Sequence, residues 1–135
     1  MNAKLFTDGG SRNNPGPAAI GGILYDSRGV ELDRFSQYIG VATNNQAEYQ
    51  ALAQGLVLAQ KHKLKQLDVY LDSELVVKQI QGEYKVKEAG LRQRVAELQS
   101  VLQAFTALHL HHIPRAENAL ADSLVNQALD EQLES

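Results

Sequence analysis

Apolar residues come in two rhythms along this chain, and the point where the rhythm changes divides it. Positions 3–7, 18–25 and 30–39 are short apolar runs bounded by turn-forming residues, and each predicts a β-strand. Gly21-Gly22 thins the side chains of the second run, and Asp26-Ser27-Arg28-Gly29 reads as a tight turn into the third. Together they predict an antiparallel meander.

From residue 43 the period becomes helical. Thr43-Asn44-Asn45-Gln46 has the spacing of a capping box, with Thr43 as N-cap and Gln46 closing it. The helix that follows sets Leu52, Gly55, Leu56 and Ala59 on one side. Residues 67–71 predict a fourth strand, after which Ser73 caps a short helix that Gly82 breaks. A longer helix carries Leu91, Val95, Leu98, Leu102 and Phe105 on one stripe. Residues 108–113 predict a fifth strand ended by Pro114, and a last helix spans 117–133 with Leu120, Ala121, Leu124 and Ala128 inward. The order β-β-β-α-β-α-α-β-α predicts an α/β fold. Its sheet is five-stranded and mixed, three antiparallel strands then two parallel ones, flanked by helices.

Composition narrows this without redirecting it. A chain of 135 residues, 44% apolar, is long enough for one core, so residues 1–135 read as a single domain. It has no apolar stretch of membrane-spanning length and no signal-peptide layout, and a cytoplasmic monomer is the simplest expectation. The absence of cysteine excludes disulfides and thiolate metal sites. A net charge of −3 argues against coating nucleic acid by bulk charge, yet leaves room for a nuclease with a local basic patch.

Four carboxylates stand out by position. Asp8 ends the first apolar run and is followed by Gly9-Gly10; Asp72 ends the fourth and is followed by Ser73. Glu48 lies one turn ahead of Leu52, on the inner stripe of its helix, where an unpaired glutamate costs free energy. Asp122 lies in the first turns of the last helix. In a sheet of this order the loops after strands one and four converge at one edge, which gathers Asp8 and Asp72. Clustered carboxylates repel one another unless a cation holds them, and this is how Mg²⁺ or Mn²⁺ is held for phosphoryl chemistry. Singly, each acid also reads as a strand-end or helix cap. His109 and His111 share one face of the fifth strand, a spacing zinc uses, but further ligands are lacking and a solvent-facing pair is the favoured reading.

The motifs around these acids resemble type 1 ribonuclease H. Phe6-Thr7-Asp8-Gly9-Gly10-Ser11 with Asn14-Pro15-Gly16-Pro17 is similar to the family's opening motif, and Thr43-Asn44-Asn45-Gln46-Ala47-Glu48 to its second. Leu71-Asp72-Ser73 resembles the third, and Glu117-Asn118-Ala119-Leu120-Ala121-Asp122 the fourth. The resemblance implies a ribonuclease H-like fold and metal-dependent endonucleolytic cleavage of the RNA strand of RNA–DNA hybrids, leaving 5′-phosphate and 3′-hydroxyl ends. By position, Asp8, Glu48, Asp72 and Asp122 would hold two Mg²⁺ ions, or Mn²⁺ as the alternative, with Asp8 bridging and Glu48 near the 2′-hydroxyl beside the scissile phosphate. Asn14, Asn44 and Asn45 would contact the hybrid in its minor groove, and Thr43 a DNA-strand phosphate. Amide side chains suit that groove because it presents 2′-hydroxyls.

The chain departs from the family pattern in three places. Pro114-Arg115-Ala116-Glu117-Asn118 carries no histidine, so the role of the family's loop histidine is either vacant or partly taken by Arg115 gripping a phosphate. The basic insertion before the long helix is reduced to residues 84–90, leaving Lys85 and Lys87 as the expected DNA-strand contacts. Glu74 stands where glutamine is common. The alternatives are a non-catalytic nucleic-acid-binding domain on the same fold, or a related nuclease with another substrate such as double-stranded RNA.

Overall fold

The computed structural model describes residues 2–82, 86 and 89–134. Among the described residues the strands and helices follow the expected order, with a 3₁₀ turn added before the last helix: β1 (Ala3–Ser11), β2 (Gly16–Tyr25), β3 (Glu31–Ala42), α1 (Asn44–Lys61), β4 (Gln66–Leu71), α2 (Glu74–Ile80), α3 (Ala89–Leu102), β5 (Ala107–His112), the 3₁₀ turn (Arg115–Asn118) and α4 (Ala119–Glu134). The sheet order is β3-β2-β1-β4-β5. β1 pairs antiparallel with β2, and β2 with β3; β1 and β4 run parallel, as do β4 and β5. The mixed five-stranded sheet expected from the sequence is the one observed. No helix among the described residues is long and apolar enough to cross a membrane.

Side chains on successive strand residues point to opposite faces, and β2 shows why its apolar run is continuous. Leu24 joins the larger core beneath α1, with Leu5, Tyr49, Leu52, Leu56, Leu67 and Val69. Its neighbour Ile23 packs instead with Ala121 and Leu124 of α4, and Ala19 with Val125, Ala128 and Leu129. The central strands are therefore covered on both faces. Leu52, Leu56 and Ala59 are fully buried, as their helical spacing requires, and truncating a leucine in such a core costs about 2–5 kcal/mol.

Several element ends differ from the sequence expectation, and three of them bear on the site or the core. β1 continues through Ser11, because Asp8 to Ser11 keep pairing with Gly21 to Ala18 after the ladder to β4 has ended at Phe6 and Tyr70. Asp8 is thus inside a strand, not in the loop after it. Phe105 is buried but lies beyond α3, whose last turn tightens through Ala104 N–H to Val101 C=O and Phe105 N–H to Leu102 C=O. The last helix starts at Ala119, its approach being the separate 3₁₀ turn.

Candidate active site

β1 and β4 set two carboxylates side by side. The last paired residues are Phe6 and Tyr70, and Asp8 and Asp72 each lie two residues further on. Parallel strands carry their C-terminal ends to one edge of the sheet, and neighbours there are about 4.8 Å apart.

Two helices bring the others. The N-terminus of α1 is held by its capping box: Thr43 N–H donates to Gln46 Oε1 at 2.9 Å and Gln46 N–H to Thr43 Oγ1 at 3.1 Å. Asn44 N–H donates to Asn14 Oδ1 at 2.9 Å, which ties the β1–β2 loop to the same helix end. Gly9 then allows close contact, since a Cβ there would overlap the backbone of Ala47. Gly21, opposite Asp8 in the ladder, does the same for α4: a Cβ would lie 2.8 Å from the Ala121 carbonyl oxygen. Those two approaches deliver Glu48 and Asp122.

Oxygen atoms of Asp8, Glu48 and Asp72 lie within 4.8 Å of one another. Asp8 and Glu48 are buried. Glu48 Oε1 accepts a hydrogen bond from Gly9 N–H at 3.3 Å, while Oε2 is buried with no hydrogen-bond partner among the described residues. Burial pushes the Glu48 carboxyl well above its usual range, reinforced by the charge of Asp8. Burial also raises Asp8, to about 7; a hydrogen bond with Glu48 opposes the rise, and the charges of Asp72 and Asp122 add to it. Asp122 stands outside the close trio but lines the same cleft, and Arg115 Nη2 approaches its Oδ1 at 3.6 Å.

These donors fit a hard divalent cation. All are carboxylate oxygens, which suits Mg²⁺ or Mn²⁺, and the buried Glu48 Oε2 is an acceptor with no protein donor among the described residues. Without a cation, protons must compensate, which is what the raised affinities of Asp8 and Glu48 express.

The cleft has a volume of about 440 Å³ and is also lined by Arg12, Asn44, Asn45 and Arg115. Asn44 Oδ1 accepts from the Ser11 backbone N–H at 2.8 Å and the Ser11 hydroxyl at 3.2 Å. Asn14 and Thr43 do not line the cleft; their side chains organise the start of α1. Lys85 and Lys87 lie outside the described residues. Glu74 sits exposed in the first turn of α2. The rival histidine pair gains no metal geometry among the described residues: His111 bonds Asp68 at 2.9 Å and stacks on Tyr70.

Two residues at the site escaped the sequence reading. Asn118 is 1% exposed, and its amide donates to the Thr7 carbonyl at 2.9 Å and to Asp72 Oδ2 at 3.4 Å. Its motif position was visible, but an asparagine near a helix start reads as a cap. Arg12, in the loop beside the opening motif, carried no signal beyond its charge.

Residues 6–128 match the family model for reverse transcriptase-like proteins. The crystal structure of LC11-RNase H1 in complex with an RNA/DNA hybrid superposes with a TM-score of 0.92 at 44% identity, covering 98% of this chain and 99% of that one. The chain belongs to the ribonuclease H family. LC11-RNase H1 was isolated from compost by a metagenomic approach. Ribonuclease HI of Halobacterium salinarum is 40% identical over 126 residues, 93% of this chain. Bifunctional protein Rv2228c of Mycobacterium tuberculosis is 39% identical over 136 residues, the whole of this chain. The chain spans 63% of the halobacterial protein and 37% of the mycobacterial one.

Proposed function

We propose that this chain hydrolyses the RNA strand of RNA–DNA hybrids endonucleolytically, leaving 5′-phosphate and 3′-hydroxyl ends. The observation that carries the reading is the close trio Asp8, Glu48 and Asp72, the first two buried, with its orphaned Glu48 Oε2. Family membership supports it, as does the hybrid bound by LC11-RNase H1.

In this reading Asp8, Glu48, Asp72 and Asp122 would hold two Mg²⁺ ions, or Mn²⁺ in their place. Bound there, divalent cations supply an activated water and stabilise the leaving oxygen of an in-line displacement. The protein's own part is positional. Gly9 N–H fixes one oxygen of Glu48, Asn118 fixes one oxygen of Asp72, and each carboxylate keeps a second oxygen for ligation. Burial keeps Asp8 and Glu48 desolvated, which strengthens charge interactions between them. Asn44 and Asn45 line the cleft where a hybrid's minor groove would lie. Thr43 and Asn14 keep that helix end in place, and Arg115 is available for a phosphate.

The test is cleavage of end-labelled hybrid, duplex RNA and duplex DNA by purified protein with Mg²⁺, Mn²⁺ or EDTA. Hybrid RNA should be cut only with metal, and Asp8→Asn should abolish the activity. Undiminished cleavage in that variant or in EDTA rejects the mechanism, and preference for duplex RNA rejects the substrate.

A further inference from the structure

Among the described residues, Arg12 and Arg115 are the basic ones lining the cleft, which also presents four carboxylates to a polyanionic substrate. Both are held by acids of α4. Arg115 faces Asp122 at 3.6 Å, and Arg12 Nη2 donates to Asp130 Oδ1 at 2.6 Å. Arg12 differs from Arg115 in how firmly its backbone is placed. Its N–H donates to the Pro17 carbonyl at 2.8 Å, and the preceding residue, Ser11, is bound through both backbone and hydroxyl to Asn44 Oδ1. The guanidinium therefore projects from a loop fastened to the start of α1, beside residues that face the cleft.

We propose that Arg12 grips a backbone phosphate of the bound hybrid, and that Asp130 occupies its guanidinium until the phosphate displaces it. This rests on the hybrid-nuclease reading above. A guanidinium fork matches carboxylate and phosphate oxygens with the same geometry, so one partner can replace the other without moving the loop. The exchange is undemanding because the ion pair is solvated: the side chains are 38% and 57% exposed, and pairs of that kind contribute little to stability. Asp130 then acts as an internal competitor. Its removal frees Arg12, whereas removal of Arg12 deprives the phosphate of its partner.

Opposite effects of the two substitutions separate this role from a brace between loop and helix. The measurement is fluorescence anisotropy of a labelled RNA–DNA hybrid against the uncleaving Asp8→Asn protein with Mg²⁺, repeated over a range of salt. Arg12→Ala should weaken binding about tenfold and reduce the salt slope by about one, while Arg12→Lys falls between it and the parent. Asp130→Asn should tighten binding at low salt, and the gain should vanish in the Arg12→Ala/Asp130→Asn double variant. Unchanged affinity and slope in Arg12→Ala overturns the proposal, as does weaker binding in Asp130→Asn. If Arg12→Ala fails to fold by circular dichroism, Arg12→Lys and Asp130→Asn decide by the same criteria. Wild-type cleavage is scored in parallel. Cleavage with a flat binding series rejects the role of Arg12 alone, and the expected series without cleavage rejects the activity alone.

Discussion

Gly9 and Glu48, 39 residues apart in sequence, touch at the centre of the site: the Gly9 backbone N–H donates to Glu48 Oε1 at 3.3 Å. The contact exists because α1 descends onto β1 so closely that Gly9 has no room for a side chain. Gly9→Ala should therefore push α1 outward. We expect a loss of about 1–3 kcal/mol, the usual range for overpacking, together with weaker Mg²⁺ binding by isothermal titration calorimetry. A variant with parental metal affinity would show that the approach of α1 does not set the position of Glu48.

The carboxylates make metal-free stability depend on pH. Asp8 in the folded chain titrates near 7, against an ordinary 3.8, chiefly because it is buried. A raised folded value means that the folded state keeps a proton the unfolded chain has released. The contribution is fully present below about pH 4 and is lost as pH rises through about 7. In EDTA the melting temperature should fall between about pH 5 and about pH 8, and Asp8→Asn should flatten that fall. Saturating Mg²⁺ should raise the melting temperature most at the upper end, where protons no longer compensate, by mass action on the folded state. Equal pH slopes in the two proteins would show that the Asp8 proton is not what the fold retains.

Asn118 joins β1 to Asp72 from a fully buried position. Asn118→Ala leaves the Thr7 carbonyl without this donor and should cost about 1–3 kcal/mol. Metal affinity should drop by about 10–100-fold, the usual effect of removing a partner that orients a ligand. Asn118→Asp, similar in shape but offering an acceptor to two acceptors, should be worse on both counts. Denaturant melts and metal titrations measured together check this; a stability loss with unaltered metal affinity would confine Asn118 to the fold.

Tyr49 hydroxyl donates to Gln79 Oε1 at 2.6 Å, linking α1 to α2 inside the core. Burial also pushes the Tyr49 hydroxyl up to about 12, so it stays a donor at any working pH. Tyr49→Phe strands the Gln79 oxygen and should lower stability by about 1–3 kcal/mol without changing cleavage at temperatures where the protein stays folded. A Tyr49→Phe/Gln79→Leu double variant should recover part of the loss, because both partners are then apolar.

How far the chain could be read before folding depended on the range of the interaction. Thr43, Gln46 and the stripe Leu52, Leu56 and Ala59 are local signals, and each behaves as its spacing requires. The order of strands and helices was equally open to reading, because helical and extended periods differ over a few residues. Boundaries were less so. β1 runs on past Asp8 because β2 still offers partners there, and a partner strand is invisible in the run itself.

Sequence alone was enough to single out Asp8, Glu48 and Asp72, since carboxylates at apolar strand ends and on an inner helix stripe are costly without a reason, and the motif resemblance added Asp122 in the last helix. Their meeting within one cleft was decided by packing: parallel pairing of β1 with β4, and two helices admitted at Gly9 and Gly21. The same packing buried Asn118 and set Arg12 against Asp130, contacts across 111 and 118 residues. No local period can encode such contacts, because they arise only when α4 lies along a sheet whose first strand was laid down at the other end of the chain.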